Sequence, residues 1–424
     1  MVVSVVHIGK GTSEEPLLDG KPVQRISAYL VEGDLDHSPA PLAGNSRKAF
    51  IGSFVHGVGF TFDDKAAVKG EAETLEAMHT LIAKDPRNAE RISPYIGGEE
   101  VNSDPRHAYH RFVIDFFDRP LRRDSSLKPW IEMDHGEVAR CRAEGVVPAD
   151  YPDEVAEDWP DLIEIVRRRV KPDRDIQKRK AIRERWWQFA DKRPGLYMAL
   201  STCHDVLVAN AGASPHHVVA RLTTDRVFAH TLAVVVLPQL SSLAILQSRI
   251  HEAWARFFSS SMKDDLRYTP SDCFRTFPFP ENFETHSTLE TIGEAYHKFR
   301  ANLMIERNEG LTKTYNRFHA RSENAPDIAR LRALHAEMDA AVLRAYGWDD
   351  LAERAAPEFI EQDADEGKTR KTRLDWPAEF KDEVLARLLA LNAERAAAEK
   401  VAGLTAIHED EEEEIGDFEE AAVA

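Results

Sequence analysis

The feature that most constrains the fold is a change of apolar period part-way along the chain. Between residues 204 and 237 the apolar residues fall in short β-branched runs, Val206–Ala209, Val218–Leu222 and Val227–Leu237. Thr223-Thr-Asp-Arg226 separates the last two with turn chemistry, so the stretch reads as a β-meander containing a hairpin. Beyond it the spacing becomes helical. Leu243, Leu246, Ile250, Trp254 and Phe257 recur at steps of 3, 4, 4 and 3. Leu289, Ile292, Tyr296, Phe299 and Leu303 form a second stripe, and Ile328, Leu331, Leu334, Met338, Val342 and Tyr346 a third that Gly347 closes. Phe380–Ala398, after Pro377, predicts a fourth. The fold class expected is α/β (α+β): a mixed α/β domain followed by a mainly helical C-terminal domain.

Upstream, Val2–Ile8 and Gln24–Val31 predict strands joined by turn residues around Gly9, Gly11 and Gly20. A chain that starts on a core strand suggests further sequence before it. Asp63–Lys84 and Ile163–Phe189 predict helices, and Arg111–Phe117 a strand. Residues 119–160, rich in Pro, Asp and Glu, predict a long surface excursion. No apolar stretch approaches the roughly 20 residues of a membrane span. Cys141, Cys203 and Cys273 lie far apart, which argues against a disulfide framework and for a reducing cytoplasm.

The net charge of −18 seems at first to disfavour a polyanionic partner, but its distribution matters more. Residues 409–420 hold nine acidic groups and no basic one, so half of the excess sits in a tail read as a disordered extension. Arg167–Arg193 carries twelve Lys and Arg against four Asp and Glu. That run is either a solvated helix face or a phosphate-binding surface.

Several motifs carry less than they first suggest. Gly9-Lys10-Gly11-Thr12 lacks the spacing of a P-loop. Phe54-Val-His-Gly-Val-Gly59 reads as a tight inter-strand turn more readily than as a cofactor cradle. His216-His217 has no carboxylate or thiol at ligand spacing, which argues against a metal. Adjacent Trp186 and Trp187 cannot share one helix face, so one is expected in the core and the other at an interface.

Two runs mix glycine, charge, amide and aromatic residues with no helical or strand period: Tyr95-Ile-Gly-Gly-Glu-Glu-Val-Asn102 and Leu311-Thr-Lys-Thr-Tyr-Asn-Arg-Phe-His319. With His107-Ala-Tyr-His-Arg111, Glu184-Arg-Trp-Trp-Gln-Phe189, Leu246–Trp254, Leu266–Asp272 and Phe277-Pro-Phe-Pro280, they resemble, in order, phrases of one family. This is the MmeI-like type IIG restriction–modification enzymes and related adenine methyltransferases. The resemblance covers roughly residues 1–400, and Val384–Asn392 is similar to the family's closing helix.

In that family a Rossmann-like domain binds S-adenosylmethionine and methylates N6 of an adenine flipped out of the duplex. Asn-Pro-Pro-Phe holds the amino group there. This chain has neither that motif nor Asp-Pro-Pro-Tyr, and Phe277-Pro-Phe-Pro280 lacks the amide. The resemblance therefore implies the DNA-reading part of a methyltransferase. Double-stranded DNA and a catalytic portion are its expected partners, and S-adenosyl-L-methionine is bound by that portion with no cofactor expected here. The alternative is a non-enzymatic DNA-binding protein, or a decayed defence-gene fragment.

The implied division is 1–63 remnant methyltransferase strands and linker, 64–283 target-recognition domain, 284–368 helical C-terminal domain, 369–408 terminal helix, and 409–424 acidic tail. Within it, Arg221, Asp225 and Arg226 are candidates for base readout, or else ordinary turn charges. Lys313, Asn316 and Arg317, with His319, suit a phosphate clamp or a helix–domain joint. Glu99, Glu100 and Asn102 are expected to brace the recognition domain, because carboxylates facing DNA are costly unless they accept from cytosine N4.

Overall fold

The computed structural model describes residues 38–259, 265–362 and 372–406, with short pieces at 17–18, 21–23, 26 and 261–262. The expected strand Val2–Ile8, most of Gln24–Val31 and the acidic tail lie outside the described residues.

In chain order the strands that matter are β1 (Ala49–Ile51), β2 (Thr61–Phe62), β3 (Ile92–Ile96), β4 (Arg111–Ile114), β5 (Asp205–Asn210), β6 (Val219–Thr223), β7 (Val227–Phe228), β8 (Leu232–Val235), β9 (Glu358–Glu361) and β10 (Thr372–Asp375). The helices are α1 (Leu75–Lys84), α2 (Gly98–Ser103), α3 (His135–Glu144), α4 (Pro160–Arg169), α5 (Leu240–Gln247), α6 (Arg249–Phe258), α7 (Ser287–Arg307), α8 (Leu311–His319), α9 (Pro326–Ala345) and α10 (Ala378–Val401).

Two four-stranded sheets organise them. The first, ordered β6-β5-β8-β1, is antiparallel throughout. Its inner strands are buried on both faces, which is why Val206–Ala209 and Leu232–Val235 are unbroken apolar runs. The second, ordered β7-β3-β4-β2, pairs β7 with β3 in parallel and is otherwise antiparallel. The first sheet shares one apolar core with α5 to α10, and that core crosses residue 283 without a break. Helix α7 lies close on α5 because Gly293 has no side chain; a Cβ there would stand 2.1 Å from the Leu240 carbonyl oxygen. The second sheet builds a separate core with α4, Trp186, Trp187 and Phe189.

The architecture is α+β, with helices dominating the C-terminal third. Several local expectations need correction. The stretch 204–237 is not a meander, and Thr223–Arg226 is not a hairpin tip. Strand β6 pairs with β5, whereas β7 leaves for the other sheet and pairs Val227 with Tyr95 and Phe228 with Ile96. Turn residues mark where a chain bends, not which strand it meets next; burial of Val227 and Phe228 in the second sheet decides that.

The helix expected over 163–189 is broken after Arg169 and again after Asp175, with Pro172 lacking the donor that continuation requires. Arg174, almost fully buried, then donates to the carbonyls of Val55 (2.6 Å), His56 (3.0 Å) and Gln188 (2.5 Å). Trp186 and Trp187 lie past the last helical turn, so the one-face restriction lapses and both are buried. Residues 119–160 are no bare excursion. They form α3, a parallel pair of Arg122–Asp124 with Val146–Pro148, and a small core of Cys141, Val147, Tyr151 and Val155. The stripe 243–257 is two helices, interrupted at Ser248, whose hydroxyl caps α6.

Candidate nucleic-acid interface

The two unusual runs of the sequence meet. Gly310, just before α8, packs on the end of α2, where a Cβ would stand 2.3 Å from the Ser103 carbonyl oxygen and 2.5 Å from that of Asn102. Within the first run, Glu100 is buried and accepts from Gly97 N (2.9 Å) and from Arg111 through Nε (2.5 Å) and Nη2 (2.8 Å). The Arg111 guanidinium lies 5.0 Å from the Tyr95 ring centre. Gly98 N donates to Thr231 Oγ1 at 3.0 Å, tying α2 to the loop before β8. Glu100 thus has the geometry of a brace, with its oxygens committed inside the protein.

The second run faces two ways. Leu311, Tyr315 and Phe318 enter the core, and the Tyr315 and Tyr296 hydroxyls hydrogen-bond to each other. Lys313, Asn316 and Arg317, at spacings of three and one, share the outer face. Lys313 is exposed. Asn316 Oδ1 lies 2.8 Å from His216 Nε2, and Arg317 holds Glu309 (3.2 Å) and Glu323 (2.7 Å). Of the three, Lys313 is the most available to an external phosphate.

Arg221, on edge strand β6, pairs with Asp205 at 3.1 Å. Arg226 folds back on Asp225 (3.0 Å) and Thr223 with its guanidinium 5.3 Å from the Tyr109 ring centre, so only 11% of its side chain is exposed. Asp225 is 67% exposed, and the Thr223 hydroxyl and Arg226 hold its carboxyl below the usual range. The structure gathers these three at the crossover between the sheets and places the α8 residues on a separate helix.

Between β10 and the loop before β6 lies a cluster that the sequence did not announce. His216 stacks on His319 (ring centres 5.2 Å apart), and the two line an open cavity of about 440 Å³ with Asn316, Arg321 and Arg373. Burial pushes Glu252 upward, but Arg373 and Arg256 outweigh it and hold the carboxyl well below its usual range. Burial, with Arg373 beside it, keeps His319 neutral. Among the described residues no group of His, Cys, Asp and Glu is arranged to hold a metal. The glycines of the Phe54–Gly59 loop pack against the protein itself: a Cβ on Gly59 would stand 2.6 Å from that of Arg169, and Gly57 faces Val170.

Arg300 was also missed, although a signal existed. It falls on the buried stripe of Leu289, Tyr296 and Leu303, a cation where the helical period demands an apolar group. Its guanidinium reaches Val219 O (2.7 Å) and Gln247 Oε1 (2.9 Å), and the latter also accepts Val219 N at 2.9 Å. Helix α7 therefore holds the first residue of the edge strand that carries Arg221.

Residues 162–281 match the family described as MmeI, target recognition domain. Over these residues the chain is similar to an MmeI-type target-recognition domain. The matched stretch takes in most of α4, the broken basic segment, β5 to β8, α5 and α6. The chain is 30% identical over 122 residues to DNA methyltransferase A of Bacillus subtilis strain 168, covering 29% of this chain and 13% of that protein. It superposes on the type IIL restriction–modification enzyme MmeI, solved in complex with DNA, with a TM-score of 0.51 and 14% identity. That alignment covers 89% of this chain and 39% of the MmeI chain, so the likeness in fold extends well beyond residues 162–281. This chain thus spans well under half the length of either relative. No described helix is long and apolar enough to cross a membrane.

Three part-buried histidines make stability depend on pH. Burial first, then nearby arginine charge, holds His107, His230 and His297 down to about 4. Unfolded histidine titrates near 6.5, so between those values the unfolded chain binds more protons than the fold. The stabilising contribution is complete above about pH 6.5 and is lost as pH falls toward 4. Each histidine is expected to forfeit on the order of 1–3 kcal/mol after solvent screening. Urea midpoints measured from pH 7 to pH 4 check this; a flat profile across that window refutes it.

Proposed function

We propose that this chain is the DNA-reading portion of an adenine-N6 methyltransferase of a restriction–modification system. It works with a portion that binds S-adenosyl-L-methionine and performs the transfer. The match of residues 162–281 to a target-recognition domain carries the reading. The brace between α2 and α8 supports it, because it ties that domain's sheet to the C-terminal helices. Site selection is this chain's task; extrusion and methylation of the adenine belong to the catalytic portion.

In this reading Arg221, Asp225 and Arg226 read base edges, and Lys313 with Asn316 contacts the backbone. Arg317, holding two carboxylates, supports α8. Selection from a randomised duplex pool supplies the recognised site. Arg221→Ala is then expected to cost about 1–3 kcal/mol on that site and little on scrambled duplex. Lys313→Ala is expected to weaken both alike and to lower the salt slope by about one. Equal losses for Arg221→Ala on both duplexes would move it to the phosphate contacts. Failure of the pool to yield any enriched sequence would remove the reading itself.

A further inference from the structure

The cavity where the C-terminal end of α8 meets β10 is one-sided in its chemistry. Arg321, Arg373, His319, Asn316, Ser322 and Gln362 line it, and among the described residues no carboxylate does. Arg373 is 8% exposed. Its Nη1 donates to Pro215 O (2.9 Å) and its Nη2 to Glu252, while its Nε is buried without an acceptor. Glu252, behind the wall, is also held by Arg256 (2.8 Å), so its charge is met inside the protein. Glu309 and Glu323, which flank α8, are both held by Arg317 (3.2 and 2.7 Å). Arg321 stands exposed in the loop after α8.

The C-terminal end of a helix ordinarily repels an anion, because its last carbonyls lack partners and form the negative pole. Here they are covered. Arg332 of α9 donates through Nε to Phe318 O (2.8 Å) and through Nη2 to Arg317 O (3.1 Å) and Ala320 O (2.8 Å). The Thr372 hydroxyl donates to His319 O (3.0 Å). What remains at the cavity is donors. Leu374 N donates to His319 Nδ1 (3.2 Å), which leaves the proton of the neutral ring on Nε2. Asn316 accepts from His216 Nε2 through Oδ1 (2.8 Å), so its amide nitrogen is left to donate outward. The positive row continues outside the cavity: Lys313, exposed, lies one turn back on the same outer face as Asn316.

We propose that this cavity seats one backbone phosphate of duplex DNA, held by Arg321 with His319 and Asn316 as neutral donors, and that Lys313 meets the neighbouring phosphate. The site rests on the DNA-reading function above and extends it to the residues that grip the strand. Arg321 presents a planar fork that matches two phosphate oxygens, and Arg373 adds fixed positive charge behind it. A small free anion would be met by the cavity alone; a further cation one helical turn away suits a chain of phosphates. No covalent bond forms or breaks, and binding exchanges condensed counterions for side chains. The contact carries no sequence information and sets the register in which the base-reading residues meet the duplex.

The test is fluorescence anisotropy of the full chain with a labelled mixed-sequence duplex, over salt from about 50 to 200 mM. Arg321→Ala is expected to lower the slope of log affinity against log salt by about one, and to weaken binding roughly 5–10-fold at about 100 mM salt. Arg321→Lys is expected to keep the slope. Asn316→Ala removes a neutral donor, so weaker binding with an unchanged slope is expected. Both side chains are exposed, and urea midpoints check that each variant folds. Wild-type affinity in either alanine variant would overturn the proposal, so a variant that fails to fold leaves the other to decide. A loss for Arg321→Ala confined to the duplex selected by the wild-type chain would make Arg321 a base reader and overturn it too. Inorganic phosphate might instead raise the urea midpoint of the wild type but not of Arg321→Ala, with duplex binding equal in both; that result assigns the cavity to a free anion and overturns the proposal. In each of these cases the wild-type chain still binds duplex and the DNA-reading function stands. A wild-type chain that binds no duplex loses that function, and this site falls with it.

Discussion

Replacing Gly310 with alanine is expected to lower the stability of this chain by about 3 kcal/mol or more, more than an ordinary surface substitution. The reason is steric. Gly310 has an extended backbone, with φ −74° and ψ 178°, which alanine adopts freely. What alanine cannot do is place a methyl carbon 2.3 Å from the Ser103 carbonyl oxygen and 2.4 Å from the carbon bearing it. Backbone cannot rotate aside as a side chain would, so α8 must lift from α2. The measurement is the urea midpoint of Gly310→Ala beside that of Gly347→Ala. Gly347 is open to solvent but lies at φ 75°, so its cost is conformational rather than steric. A Gly310→Ala protein as stable as the wild type would show that the two runs do not pack as described. Because α8 carries Lys313, the same variant is expected to weaken duplex binding.

Removing Glu100 is expected to be equally costly, about 3–5 kcal/mol for Glu100→Ala. The carboxylate is sealed from solvent, and Arg111, with 22% of its side chain exposed, loses both of its bonds to it. Gly97 N loses its acceptor as well. Glu100→Gln keeps the shape and one acceptor, so a smaller loss is expected. The double variant Glu100→Ala/Arg111→Ala is expected to recover part of the stability, because the stranded cation is then gone. Unfolding curves of the three variants decide the matter. Additive losses in the double variant would mean that the pair is not coupled.

These two residues illustrate what could be read in advance. Tyr95–Asn102 and Leu311–His319 stand out in the sequence for their mixture of glycine, charge, amide and aromatic residues, and bracing by Glu100 is expected on charge grounds; the lack of period read there is corrected by the structure, where the first run is a strand end followed by α2 and the second is α8, with Leu311, Tyr315 and Phe318 at helical spacing inward. That the two runs touch was not visible: they are separated by more than two hundred residues, and nothing local records a glycine's neighbour. The helices α7, α9 and α10 were legible because each keeps an apolar stripe over many turns. Beyond α4 the helical pattern looks continuous in the sequence, but Pro172 and the hydrogen bonds of buried Arg174 to three carbonyls interrupt it.

The candidate site divides in the same way. The sequence offers Arg221, Asp225 and Arg226 as residues of an exposed hairpin; the structure puts them at a sheet-to-sheet crossover, with Arg226 folded against Tyr109. Arg300 takes its meaning from Val219 and Gln247 on other elements, which no local pattern records.

By itself the sequence determined the α+β class, the helical C-terminal third and the resemblance to MmeI-like enzymes. Those follow from period, composition and ordered phrases, all of which are local. The tertiary structure alone decided that β7 leaves β6 for the second sheet, that α2 and α8 meet through Gly310, and that Arg300 lies buried without a carboxylate against the edge strand. Each depends on which surfaces exclude water together, and that is a property of the packed chain rather than of any segment of it.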